Sequence, residues 1–76
     1  MREYPNAESV LRAEMFRCGY TLERLSQDTE ISVAVLRGIL SGRSNTISIR
    51  NIIALSRAFG YSSSDFIDLL SSNLPE

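Results

Sequence analysis

Eight arginines carry all the positive charge of the side chains in this sequence, which contains no lysine and no histidine. A guanidinium group can hydrogen-bond to a phosphate or to the edge of a guanine, although it forms ordinary surface ion pairs equally well. Catalytic chemistry has little support, because Cys18 has no histidine to activate it and no glycine-rich loop is present to hold a phosphate. The composition therefore favours a binding protein over an enzyme. Neither a metal ion nor a cofactor is expected.

One polar stretch is a good candidate for contacting phosphates. Arg43, Ser44 and Asn45 precede Ser48, which is expected to begin a helix whose free N–H groups can receive a phosphate. Arg50 lies in the first turn of that helix, where a cation is unfavourable unless an anion is bound nearby. The alternative is that Arg50 is a surface arginine without a partner.

Charge is unevenly distributed along the chain, whose formal net charge is −1. Residues 1–57 contain all eight arginines and six acids and net +2, whereas residues 58–76 contain three acids and no base and net −3. Two arginines are expected to be solvated or to pair with acids of their own helices: Arg17 with Glu14, and Arg24 with Asp28 or Glu23.

Five short helices are predicted to position these residues. Both prolines lie near the ends of the 76 residues, so the middle of a single domain is free for helices. Capping residues and glycines predict helices that begin after Asn6, Thr21, Ser32 and Ser48 and at Ser64 with Asp65, and that end before Gly19, Ser41-Gly42 and Gly60. No segment alternates with period two, so no sheet is expected. The predicted fold class is all-α, a compact bundle of about five short helices.

Within this fold the sequence predicts a helical domain at 9–70, after an N-terminal arm at 1–8 that includes the start of the first helix, and before a tail at 71–76. Tyr20 and Tyr61 are expected in the core, and Cys18 is expected to fill a helix end. No stretch approaches the roughly 18 apolar residues that cross a bilayer, and the N-terminus lacks the apolar region of a secretion signal. Since one cysteine cannot form an internal disulfide, a cytoplasmic protein without membrane association is expected.

Two runs of residues follow one family's pattern by position. The first places a capping threonine, a helix-2 leucine and a serine that opens helix 3 at fixed spacing: Gly19, Tyr20, Thr21, Leu25, Ser26, Ile31, Ser32, Leu36, Ile39 and Ser41-Gly42-Arg43. The second follows the pattern without a gap: Ser48, Ile49, Ile52, Ile53, Leu55, Phe59, Gly60, Tyr61, Asp65 and Phe66. Together they resemble the Cro/C1-type helix-turn-helix family, which includes phage repressors. The resemblance implies a lambda repressor-like fold in which helices 2 and 3 form the helix-turn-helix.

The chain departs from the family pattern at several positions. Leu22 replaces a glutamine that often meets a phosphate, and Glu30 replaces the turn glycine, so a left-handed residue there would cost about 1 kcal/mol or the turn must change shape. Met15 and Leu40 stand where many members carry a buried arginine–glutamate pair. Exchange of both partners for apolar residues can be neutral or stabilising, which supports the alignment.

The resemblance also implies which residues meet DNA. It places the start of helix 3 in the major groove, with Val33, Ala34 and Gly38 at positions that touch bases and Arg37 beside them. Thr21 and Ser32 are implied as further phosphate contacts. Val33 and Ala34 can pack on thymine methyl groups, and Arg37 can bind guanine or a phosphate. Two alternatives remain: these are plain surface residues, or Val33, Ala34 and Val35 form an apolar patch that binds another protein.

A symmetric operator requires two copies whose recognition helices lie about 34 Å apart. The candidate dimer interface is the apolar C-terminal part, which comprises Phe66, Ile67, Leu69, Leu70 and Leu74. The alternative is that this part only covers the core of the monomer.

Together, the resemblance implies a homodimeric, sequence-specific transcriptional regulator whose partner is double-stranded DNA, with a repressor of phage or bacterial origin as the leading interpretation. The alternative is an adaptor or antagonist that keeps the fold, binds a protein through the apolar face of helix 3 and does not bind DNA.

Overall fold

Five helices make up most of the computed structural model, which describes residues 2–71. They are α1 (Ala7–Cys18), α2 (Leu22–Thr29), α3 (Val33–Leu40), α4 (Ile49–Phe59) and α5 (Ser63–Ser71). The predicted all-α class and the bundle of five short helices are confirmed. None of the helices in residues 2–71 is long and apolar enough to cross a membrane.

Three helices begin at the predicted hydroxyl caps. The side chains of Thr21, Ser32 and Ser48 each accept a hydrogen bond from the amide three residues later, at 3.1, 3.2 and 3.3 Å. Each bond satisfies one of the amides that a helix N-terminus leaves without an internal partner. The starts of α2, α3 and α4 were therefore encoded locally.

The start of α5 differs from the prediction. The amide of Asp65 donates to the Ser62 hydroxyl at 3.1 Å, and the helix begins at Ser63. The predicted start at Ser64 is wrong, because any member of a run of three serines is an equally suitable cap and the pattern cannot choose among them.

Asn6 stands at the predicted cap position of α1 but does not cap it with its side chain. Both polar atoms of its amide group are buried without a hydrogen-bond partner. At the other end of this helix Gly19 adopts a φ of 71°, the left-handed conformation that a terminating glycine allows, as predicted.

The core brings together apolar side chains from all five helices, and Leu25, Leu36, Ile52 and Leu55 are completely buried. Leu36 and Ile39 form the buried face of α3, whereas Leu40 is half-buried against the core. Met15, Tyr20 and Tyr61 are also half-buried and pack on the core. Cys18 is the last residue of α1, at the helix end as predicted, and it is exposed.

A short strand pairing lies beside the bundle. Strand β1 (Arg2–Glu3) runs antiparallel to β2 (Thr46–Ile47), and the amide of Tyr4 donates to the carbonyl of Asn45 at 2.7 Å. The prediction of no sheet is wrong here, because strands of two residues are too short to show alternation. This pairing holds residues 2–4 against the loop between α3 and α4, and the side chains of Tyr4 and Ile47 are buried.

The turn between α2 and α3 keeps its geometry although it lacks a glycine. Glu30 adopts a φ of 61°. The Ser26 hydroxyl donates to the Ile31 carbonyl at 2.6 Å, while the Ile31 amide donates to the Thr29 hydroxyl at 3.2 Å. Because Ile31 is buried and held by both bonds, the strain at Glu30 is retained and the turn does not change shape.

Replacement of Glu30 by glycine is expected to raise the free energy of unfolding by about 1 kcal/mol, since glycine adopts a positive φ without a steric penalty. Urea unfolding followed by circular dichroism measures the change. Glu23→Gly, at an exposed helical position of α2, is the matched control and is expected to lower stability by about 1 kcal/mol. Equal or lower stability of Glu30→Gly would show that the turn carries no strain.

Candidate nucleic-acid interface

Burial of two side chains sets the rotation of α3. Leu36 and Ile39 point into the core, so Ala34 and Arg37, on the opposite side of the helix, are exposed. Val33 lies at the edge of this exposed side and is half-buried. The predicted base-contacting residues therefore share the outer side of α3, with Gly38 one turn after Ala34.

Gly38 joins α3 to the loop that follows. Its carbonyl accepts hydrogen bonds from the amides of Arg43 and Ser44, both at 3.1 Å, and from the Ser41 hydroxyl at 3.0 Å. A methyl group added at Gly38 would lie 3.9 Å from the Ser44 side chain, which is ordinary contact. The loop thus folds back onto α3 and brings the predicted phosphate contacts beside the predicted base contacts.

The loop is also held on its other side. Gly42 has a φ of 79°, and a side chain there would meet the Glu8 carboxylate at 3.0 Å, so the loop passes close to α1. Asn45 is held through its carbonyl by the amide of Tyr4. Arg43 is exposed, and its Nε donates to the Ser41 hydroxyl at 3.2 Å.

The three hydroxyl groups that are predicted to contact phosphates also cap helices. Thr21, Ser32 and Ser48 each accept a bond from a backbone amide, which leaves the proton of each hydroxyl available to donate. At the start of α4 the cap occupies the amide of Asn51, so the amides of Ile49 and Arg50 point out of the helix end. Amides in this position are suitable donors to a phosphate oxygen.

The arginines divide into two groups. Arg12, Arg17 and Arg24 form ion pairs within their own helices, with Glu8 at 3.3 Å, Glu14 at 2.6 Å and Asp28 at 3.5 Å. The predicted pairing of Arg17 with Glu14 is confirmed, as is that of Arg24 with Asp28. Within residues 3–71, the remaining arginines have no carboxylate at ion-pair distance: Arg37, Arg43, Arg50 and Arg57.

The division of the arginines into paired and unpaired groups has a simple signal in the sequence, which the net charge of residues 1–57 does not reveal. Residues 31–64 contain these four arginines and no acid. Arg57 belongs to this segment although it was not predicted as a site residue. It lies at the end of α4 and lines a groove with Tyr20, Asp28 and Glu30. The unneutralised positive charge therefore lies on α3, on the following loop and on α4.

Arg17 ties α1 to the end of α4. Besides its ion pair with Glu14, it donates to the Phe59 carbonyl at 2.7 Å and lies 5.5 Å from the ring centre of Tyr61. The bond to Glu14 raises the pKa of Arg17, so this arginine stays charged. It is occupied within the fold and does not belong to the candidate interface.

The candidate dimer residues have different surroundings. Phe66 and Leu70 are buried in the core of the chain itself, while Ile67 and Leu69 are half-buried. Leu74 lies outside the described residues. The structure therefore places two of the candidate dimer residues in the core of the chain itself.

Tyr20 braces α4 against the helix-turn-helix. Its hydroxyl donates to the Asp28 carboxylate at 2.8 Å and approaches the Ala58 carbonyl at 3.3 Å, and its ring packs edge-on against Phe59. The bond to Asp28 raises the pKa of Tyr20 above 10.0, because ionisation would lose the bond and place two negative charges together, and burial adds to this shift.

Two capped helices joined by a short turn, with one side of the second helix exposed, have the arrangement of a helix-turn-helix. A family model described as Helix-turn-helix matches residues 11–66. The chain belongs to this family, the Cro/C1-type helix-turn-helix proteins, which are DNA-binding transcriptional regulators. No curated protein and no solved structure matches the chain.

The contribution of Tyr20 to stability is expected to depend on pH. Because its folded-state pKa is raised, the stabilisation is present below about pH 10 and is lost as the pH rises through the raised value. Tyr20→Phe should therefore flatten the fall in unfolding free energy between about pH 9 and pH 11. Urea unfolding at a series of pH values measures this slope, and identical slopes for both proteins would contradict the assignment.

Proposed function

We propose that this protein is a sequence-specific repressor that reads operator DNA with α3 in the major groove. The supporting observation is the coincidence of three features: the outer side of α3, the loop that folds onto it, and the absence of acids from residues 31–64. Phosphates attract unneutralised arginines wherever they lie, whereas base reading requires a helix that can enter a groove.

Base recognition would depend on one polar contact and several apolar ones. Arg37 can donate two hydrogen bonds to the O6 and N7 atoms of a guanine. Val33 and Ala34 offer methyl groups to the C5-methyl of thymine. Gly38 would supply space instead of a hydrogen bond, since its carbonyl is already used by the loop.

Phosphate contacts would orient α3 in the groove. The loop residues Arg43, Ser44 and Asn45 lie on one side, and the start of α4 offers the Ser48 hydroxyl, the amides of its first turn and the side chain of Arg50. Thr21 and Ser32 would add hydroxyl donors at the starts of α2 and α3. A phosphate at the start of α4 would also offset the unfavourable position of Arg50 near the positive end of the helix dipole.

The repressor role and a homodimer in the cytoplasm are further parts of this proposal. Their support is the resemblance to phage repressors, whose operators call for two copies. Repression would be tested in a reporter strain that carries the DNA upstream of the gene. Reporter expression should fall when the protein is produced, and a rise would identify an activator.

A second candidate function is a protein-binding adaptor, and one observation favours it. Val35 is 46% exposed beside the exposed Ala34, so two of the three exposed residues of α3 are apolar. A DNA-reading helix with few hydrogen-bond donors can distinguish fewer base pairs, whereas an apolar patch can bind a protein.

Arg37→Ala is expected to reduce discrimination between operator and unrelated DNA by about tenfold to a hundredfold, since a bidentate guanine contact contributes about 1–3 kcal/mol. Mobility-shift titrations on both DNAs measure the ratio. Arg24→Ala is the matched control, because that arginine is exposed and paired with Asp28.

Arg50→Ala gives the contrasting result in the same titrations. Its loss should weaken binding to both DNAs equally and reduce the slope of affinity against salt by about one. If Arg37→Ala also weakens both DNAs equally, Arg37 binds a phosphate and the assignment of base reading to it is wrong.

Val33→Glu tests both candidate functions, which differ in the kind of binding that the variant loses. A carboxylate at the edge of α3 should abolish DNA binding by repulsion from phosphates. If wild-type protein fails to shift its upstream DNA at low salt, while Val33→Glu abolishes capture of a specific protein, the adaptor function replaces the proposal. Circular dichroism of the variant verifies that the fold is retained.

A further inference from the structure

The groove that Arg57 lines lies between the end of α2 and the second half of α4, and we call it the α2–α4 groove. Its volume is about 510 Å³, within the range of about 300–1,000 Å³ that is typical of small-molecule sites. Small side chains of α4 form one part of its lining, and polar side chains of α2 and the following turn form another. The lining includes Tyr20, Asp28, Glu30, Ala54, Arg57 and Ala58.

The walls of the α2–α4 groove are held in place by bonds within the fold. The Tyr20 hydroxyl bonds to Asp28 at 2.8 Å, and the Tyr20 ring packs edge-on against Phe59. The Thr29 hydroxyl, which also lines the groove, donates to the Leu25 carbonyl at 2.7 Å and accepts from the Ile31 amide at 3.2 Å. A ligand would therefore enter a groove that is already formed, without the cost of ordering its walls.

One acid and one base of the groove have no partner of their own. Asp28 is occupied, because it accepts the bond from Tyr20 and pairs with Arg24 at 3.5 Å. Glu30 and Arg57 are exposed, and within residues 3–71 the side chain of neither forms an ion pair or a hydrogen bond. The α2–α4 groove thus presents a free carboxylate and a free guanidinium that do not pair with each other.

The carboxylate of Glu30 is retained at a position that favours glycine. Its φ of 61° is the only positive φ of a residue other than glycine within residues 2–71. Glycine would relieve the strain but would remove the carboxylate from the groove. Strained residues cluster at sites that bind ligands, where the side chain has a use that offsets the strain.

We propose that the α2–α4 groove binds a free α-amino acid, whose carboxylate pairs with Arg57 and whose ammonium group pairs with Glu30. A guanidinium binds a carboxylate through two parallel hydrogen bonds, and a carboxylate accepts charge-assisted bonds from an ammonium group. The half-buried Ala54 and Ala58 offer apolar surface to the side chain of the ligand.

The balance of charge favours this class of ligand over others. A ligand that carries both charges neutralises Glu30 and Arg57 together, whereas a simple anion or cation leaves one of them unpaired. A nucleic-acid backbone would be repelled by Asp28 and Glu30, so Arg57 differs in its surroundings from the arginines of the candidate interface. The inference goes beyond the proposed function and does not rest on it, because the groove is formed without DNA.

Nuclear magnetic resonance titrations of the full chain with pools of the twenty protein amino acids, without DNA, test the inference. At least one amino acid should bind with a Kd of about 1 mM or tighter and shift the amide signals of Glu30, Ala54 and Arg57. Arg57→Gln and Glu30→Gln should each weaken binding by about tenfold or more, since each removes a charge-assisted contact. Arg12→Gln and Glu23→Gln are the matched controls, because both side chains are exposed and lie outside the groove, and they should bind as the wild type does.

Separate titrations with acetate and with methylamine test whether both charges are needed. Each should bind about tenfold more weakly than the amino acid, because each reaches one charged side chain instead of two. Acetate that binds as tightly as the amino acid would overturn the inference and show an adventitious anion site at Arg57. Absence of binding by all twenty amino acids at about 10 mM, or unchanged binding in both Arg57→Gln and Glu30→Gln, would also overturn it.

Discussion

The burial of Leu36 and Ile39 is the constraint on which the rest of this structure depends. The helix that carries them has eight residues, so two inward side chains are enough to fix its rotation about its axis. Ala34 and Arg37 must then face outward, and the loop after Ser41 must return across Gly38 to reach the start of α4. Helices α1 and α2 pack against α3, and their apolar side chains share the core with those two residues.

Elements with a local cause were predictable from the sequence. The caps at Thr21, Ser32 and Ser48 depend on a hydroxyl and an amide three residues apart, and the amphipathic stripes depend on spacing within one helix. The pairing of β1 with β2 was not predictable, because it joins residues more than forty positions apart through backbone bonds that carry no side-chain signature. Asn6 shows the same limit: its position as a cap was correct, but its surroundings leave the side chain unpaired.

The candidate interface was predictable in position more than in chemistry. Family spacing indicated Val33, Ala34, Arg37 and Gly38, and the structure places them together on or beside the exposed side of α3. The absence of acids from residues 31–64 indicates which arginines lack a carboxylate nearby in the sequence, whereas the bond of Arg17 to a carbonyl forty-two residues away required the tertiary structure.

The outer side of α3 offers methyl groups where other recognition helices would offer amides, and this limits what it can distinguish. Valine and alanine side chains respond to a methyl group in the major groove, whatever base carries it. Thymine and 5-methylcytosine present that group at the same ring position. In the proposed function, α3 would therefore respond to a methylated cytosine as it does to thymine, and cytosine methylation would create binding sites in DNA whose base sequence is unchanged.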